Sequence, residues 1–100
     1  MDFIDLKKKA RSEIGFDEPD YLKDSDDLLN IGAIELNPTQ KVIFSVSFFK
    51  GKKYFDIRNW IEAESGEWAP TKKGVHLSFD KFEEFGKAVD IFAKVVELDK

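Results

Sequence analysis

Between Val42 and Phe49 the run VIFSVSFF sets Val42, Phe44, Val46 and Phe48 on one side and Ile43, Ser45, Ser47 and Phe49 on the other. That period of two is what a half-buried strand requires. Lys50-Gly51-Lys52 then supplies a turn, after which Lys53 to Ile61 alternates again, with Phe55, Ile57 and Ile61 opposed to Tyr54, Asp56, Arg58 and Trp60. The two runs read as a hairpin with unequal faces.

Downstream, Glu64-Ser65-Gly66 is a second turn, a short strand is expected around Glu67 to Ala69 before Pro70, and another from Val75 to Leu77 after Gly74. Together these make a four-stranded meander. Ser78 is a suitable N-cap, Asp80, Glu83 and Glu84 suit the positive end of a helix dipole, and Phe79 to about Leu98 is helical in pattern. Phe82, Phe85, Val89, Phe92 and Val96 form one apolar stripe, and Ala88, Ile91, Val95 and Leu98 form a second, roughly 110° around the axis at about 100° per residue. One stripe suits the sheet. The other has no partner within such a chain, and a symmetry-related helix is its simplest cover, so Ala88, Ile91, Val95 and Leu98 are the expected dimer contacts. The expected fold class is therefore α+β, an antiparallel four-stranded sheet followed by one long C-terminal helix, homodimeric.

Several chemistries are excluded by composition. With no cysteine there is no disulfide or thiolate site, and one histidine, His76, is too few for a histidine metal cluster. Neither a membrane span nor a signal peptide is indicated, so the expected location is intracellular and membrane partners are not expected. The net charge of −4 argues against nucleic acid until its distribution is examined. Residues 1–40 hold 5 Lys or Arg against 10 Asp or Glu, residues 41–78 hold 7 against 4, and residues 79–100 hold 4 against 6. The basic excess lies in the middle segment. The acidic first forty residues, punctuated by Pro19 and Pro38, read as partly ordered, with Leu28 to Leu36 as either one helix end or an accessory strand.

One helix covers only one face of a sheet, so the other meets solvent or a ligand. Alternation places Phe49, Tyr54, Arg58 and Trp60 there, near Lys50, Lys52, Lys53, Lys72 and Lys73. Rings on which bases stack, beside cations that follow phosphates, are what an unpaired nucleic-acid strand requires. The same residues also suit plain cross-strand packing with solvated lysines, or an aromatic-anchored protein interface.

The segment FFKGKKYFDIRNWIEAESGEWAPTKKGVHLSFDKF resembles the core of the positive cofactor 4 transcriptional coactivator family, in its FKGK turn, DIR strand, GE turn, P-x-[KR]-KG loop and V-x-L strand leading into the helix. The resemblance covers about residues 41–97. It implies a curved four-stranded sheet with a C-terminal helix, dimerisation through that helix, and sequence-nonspecific binding of single-stranded or melted DNA across the sheet, in a coactivating, regulatory or DNA-protecting role. Residues 41–100 would then be the binding domain and residues 1–40 an acidic extension, partly disordered or accessory. By the same resemblance Phe49 is a stacking ring, Lys50 and Lys52 are phosphate contacts with Lys53 beside them, Arg58 meets a phosphate or base plane, and Lys72 and Lys73 lie on a loop closing over the strand. The family often carries an aromatic where this chain has Ile61, so Trp60 is the expected second platform, with Trp68 either extending it or entering the core. The implied partners are single-stranded DNA or RNA, a second copy of the chain, and the transcription machinery, in the nucleus of a eukaryote or in the cytoplasm or nucleoid otherwise.

An enzyme is the weakest alternative. His76, between Val75 and Leu77, reads as a structural strand residue, and Glu62, Glu64 and Glu67 read as solvated turn carboxylates. Gly51, Gly66 and Gly74 sit in isolated turns rather than a phosphate-cradling loop. No catalytic residue, metal ligand or cofactor is expected.

Overall fold

The computed structural model describes residues 1–100. Lys50 and Gly51 both take positive φ, 50° and 77°, and this tight left-handed pair reverses the chain so that Phe49 lies opposite Lys52. From that point β2 (Gln40–Phe49) and β3 (Lys52–Glu62) pair antiparallel without a break down to Gln40 opposite Ile61. Val46 faces Phe55 and Phe44 faces Ile57 on one side, while Ser47 faces Tyr54 and Lys41 faces Trp60 on the other.

Flanking this hairpin are β1 (Leu28–Asn37), antiparallel to β2, and β4 (Trp68–Ser78), antiparallel to β3, in the sheet order β1-β2-β3-β4. Leu28 to Leu36 is thus a strand and not a helix end. Its turn into β2 is fixed by the Asn37 carboxamide oxygen, which accepts from the backbone N–H of Thr39 at 3.0 Å. The two short strands expected around Glu67–Ala69 and Val75–Leu77 are one continuous strand. Pro70 is tolerated because β4 is an edge strand, and the misfit is taken up where Thr71, Lys72 and Lys73 lie opposite Asn59 alone, between the pairs Arg58–Gly74 and Trp60–Pro70.

The acidic first forty residues contain a helix, α1 (Phe3–Glu13), as well as β1. Its start is capped by the Asp2 carboxylate, which accepts from Asp5 N–H at 2.9 Å. Phe3, Leu6 and Ala10 recur at helical spacing and dock on the corner of the sheet that carries Leu29 and Val46, and the Phe3 ring stacks on Phe48 at 5.8 Å. Lys7 is buried beneath the following segment, where its ammonium donates to Asp24 at 2.9 Å and to the Ser25 carbonyl at 2.6 Å. A buried charge is tolerable only with such partners.

At the other end, a 3-10 turn (Phe79–Lys81) leads into α2 (Phe82–Leu98). Ser78 stands at the N-cap of that turn, but its hydroxyl donates to the Asp80 carboxylate instead of accepting from the backbone. The first apolar stripe of α2 meets the sheet only at its start: Phe82 and Phe85 pack on Phe55 at 5.5 and 4.9 Å. Val89, Phe92 and Val96, expected to continue that contact, are exposed, because the helix leaves the sheet after its first turns. Only eight of 100 residues are buried. A single chain therefore leaves the second stripe of α2, and the first beyond Phe85, in water.

Candidate nucleic-acid interface

α1 and α2 reach the same side of the sheet, since Val46 and Phe48 meet α1 while Phe55, opposite Val46, meets α2. The side carrying Ser47, Phe49, Tyr54, Arg58 and Trp60 has neither helix packed on it, yet only its ends are exposed: at its centre Ile43, Ser45 and Asn30 are buried, at 0%, 5% and 6% exposure.

Phe49 ends β2 with 57% of its surface exposed, and the Lys50 ammonium stands 5.3 Å from its ring centroid. Lys52 is its cross-strand neighbour. The Ser78 hydroxyl, with smaller help from the Lys81 and then the Lys52 ammonium, holds the Asp80 carboxyl below the usual aspartate range. Lys53 points to the helix-bearing side, opposite Phe48, and its ammonium donates to the Met1 carbonyl. The cations of the turn are thus divided, with Lys50 and Lys52 beside Phe49 and Lys53 tying down the N-terminus.

Farther along β3, Arg58 lies across Asp56. Its Nε and Nη2 donate to the two carboxylate oxygens at 3.0 and 3.1 Å, and Nη1 donates to the Thr71 carbonyl at 2.9 Å. Both side chains are largely shielded, at 22% and 14% exposure. A guanidinium carries five N–H donors, so two remain for a ligand. Asp56 also meets His76 Nδ1 at 2.9 Å, and the His76 ring stacks on Tyr54 at 4.4 Å. Tyr54 and His76 accordingly form an internal pair on this face. Trp60 is half-buried between its cross-strand neighbours Lys41 and Pro70.

Lys72 and Lys73 are exposed in the bulged part of β4, not on a separate loop. The bulge is braced by Thr71, whose hydroxyl donates to Asn59 O at 2.7 Å and accepts from Lys73 N–H at 3.2 Å. Trp68 neither enters the core nor stands alone: its ring meets Tyr21 at 5.6 Å, and the Lys41 ammonium lies over both rings. Tyr21 and Lys41 were not singled out from sequence, although Lys41 shares the alternation side of Phe49. Glu62, Glu64 and Glu67 are exposed, and no group of three or more His, Asp or Glu is assembled that could hold a metal ion.

An antiparallel four-stranded meander, followed by a C-terminal helix and with no helix on its other face, defines a sheet-and-helix domain of the PC4 type. The profile of the family described as Transcriptional Coactivator p15 (PC4) matches residues 36–88, and the chain belongs to that family. Two solved relatives share the fold. A PC4 homolog from Burkholderia pseudomallei superposes with a TM-score of 0.60 at 18% identity, over 71% of this chain and 96% of that one. A bacteriophage T5 homolog of the eukaryotic transcription coactivator PC4, implicated in recombination-dependent DNA replication, gives a TM-score of 0.58 at 26% identity, over 73% of this chain and 81% of its own. No curated protein matches the sequence. The family match begins within β1, so α1 and the segment after it lie outside it.

Proposed function

We propose that the protein binds single-stranded DNA, or RNA, without strong sequence preference, and does so as a homodimer with no catalytic centre. The observation that carries this reading is Phe49: a large ring more than half exposed at the end of a strand, flanked by Lys50 and Lys52, on the one sheet face that no helix covers. Arg58 and Trp60 lie on the same face, and Lys72 and Lys73 are exposed in the bulge of the adjoining edge strand. Bases stacked on rings contribute about 1–3 kcal/mol each, and the cations supply the salt-dependent remainder. Support for the dimer comes from α2, whose Ile91, Val95 and Leu98 are 60%, 58% and 86% exposed, an apolar surface that a second copy would cover. A role in transcription regulation or in protecting melted DNA, inside the cell, is the reading we attach to this surface, in line with the coactivator family and with a phage relative implicated in recombination-dependent DNA replication.

Fluorescence-anisotropy titration with a single-stranded and a duplex oligonucleotide at two salt concentrations tests this. The single strand is expected to bind more tightly, since paired bases cannot be splayed onto Phe49. If the five proposed phosphate contacts (Lys50, Lys52, Arg58, Lys72, Lys73) each displace a counterion, the slope of log affinity against log salt reaches at most about −3.5 per protomer. The exposed rings also favour a second reading, a dimeric protein-interaction module. For that reading the slope would be shallow, and no preference for the single strand would be seen.

A further inference from the structure

We infer that Tyr21, Lys41 and Trp68 form a second nucleobase-stacking subsite, at the opposite end of the open sheet face from Phe49. The inference rests on the single-strand reading above and deepens it by fixing where the strand runs. Lys41 and Phe49 point to the same side from the two ends of β2, roughly 26 Å apart at about 3.3 Å per residue, with Trp60 beside Lys41 across the strand pair. A strand seated on Phe49 and following the sheet therefore arrives at this cluster.

Its chemistry suits a base more than a phosphate. The Lys41 ammonium lies 3.9 Å from the Tyr21 ring centroid and 4.8 Å from that of Trp68, so its charge is already engaged by two π faces. Glu62 is the cross-strand neighbour of Trp68, and Glu67 precedes it. These carboxylates oppose a phosphate but not a neutral, flat base. Tyr21 keeps 38% of its surface open.

Tyr21 is a fixed platform and not a swinging flap. On its N-terminal side, Glu18 is gripped through both carboxylate oxygens by Arg11 of α1, at 2.8 Å each. On the other side, Asp24 accepts from Lys7 at 2.9 Å, and Lys23 reaches Glu67 at 3.7 Å. A segment pinned before and after the ring loses little further entropy when a ligand stacks on it. Lys41 and Trp68 lie within residues 36–88, and Tyr21 is supplied from outside the matched range.

The test compares two oligothymidines, one too short to reach from Phe49 to Tyr21 and one long enough, on the full chain and on Tyr21→Leu and Tyr21→Phe. Leucine keeps apolar packing on Trp68 but removes the aromatic plane, and matching thermal midpoints confirm that the variants are folded. Tyr21→Leu is expected to weaken the long oligonucleotide about tenfold, a loss within the range for one stacked base. It leaves the short one and the salt slope unchanged, and Tyr21→Phe restores full affinity. Unchanged or tighter binding of the long oligonucleotide by Tyr21→Leu overturns the inference while leaving the general reading intact. Failure of the unsubstituted chain to bind either oligonucleotide overturns both.

Discussion

Gly74 lies opposite Arg58 where β4 resumes regular pairing after its bulge, and a side chain there has nowhere to go. A Cβ on Gly74 would sit 2.6 Å from the Ile57 carbonyl oxygen and 2.8 Å from the Arg58 Cα, both of them backbone. Rotamer changes cannot relieve such contacts, so Gly74→Ala must push β4 away from β3. The displacement would strain the hydrogen bonds that join Arg58 to Asp56 and Thr71. Overpacking of this kind costs about 1–3 kcal/mol, a large share of the roughly 5–15 kcal/mol that holds a small domain together. The expected fall in melting temperature is roughly 5–20 °C. Gly32→Ala is the matched control, because a Cβ there meets nothing within 4 Å and the substitution should be neutral or stabilising by about 0.5 kcal/mol. Urea denaturation at one fixed protein concentration, followed through Trp60 and Trp68, separates the two variants. Equal midpoints for Gly74→Ala and Gly32→Ala would refute the close-approach argument.

Phe49→Ala should weaken single-strand binding by about 1–3 kcal/mol without changing the unfolding midpoint; an unaltered dissociation constant removes the ring from the site. Replacing Lys72 and Lys73 together with alanine should make the salt slope shallower by about one to two units in the same anisotropy assay. Arg58→Ala should lower both affinity and stability, because it strips the shielded Asp56 of its bidentate partner, and a melt identical to that of the parent would contradict this. In acid, α1 should loosen first. Hydrogen bonds from Asp5 N–H to Asp2 and from Lys7 to Asp24 hold those two carboxyls below the usual aspartate range. The undocked state therefore binds protons more readily, so the stabilisation is full at neutral pH and declines as pH falls below about 4. Protection of the amides of residues 3–13, taken relative to the intrinsic exchange rate at each pH, should fall there before that of β2 and β3. Ile91→Glu with Val95→Glu should yield a monomer in light scattering if α2 is the dimer contact.

The central hairpin was legible because two alternating runs flank a turn of fixed length, and the pairing of Val46 with Phe55 follows from that geometry. The face bearing Phe49, Arg58 and Trp60 was legible for the same reason. Less visible was β1, where Ile31, set between the register pairs of Asn30 and Gly32, breaks the alternation. α1 was hidden by the acidity of its surroundings, although Phe3, Leu6 and Ala10 carry a helical period. Pro70 suggested two strands where there is one, because the tolerance of an edge strand for proline depends on sheet order, which local sequence does not contain. Lys53 and Arg58 show a different limit. Their residue types and neighbours were plain, but that the Lys53 ammonium is taken by Met1, and that Asp56 and Thr71 occupy three of the five Arg58 donors, depends on side-chain geometry that alternation does not contain.

The hairpin tip sets two demands against each other. Lys50 is the one residue other than glycine with positive φ, a conformation that costs an ordinary L-residue about 1–2 kcal/mol. Lys50→Gly would relieve that strain and make the turn easier to close, yet would delete a cation beside Phe49. A search for hardier variants would thus select against the ligand at this position, and a search for tighter binders would keep the chain slightly less robust than its backbone permits.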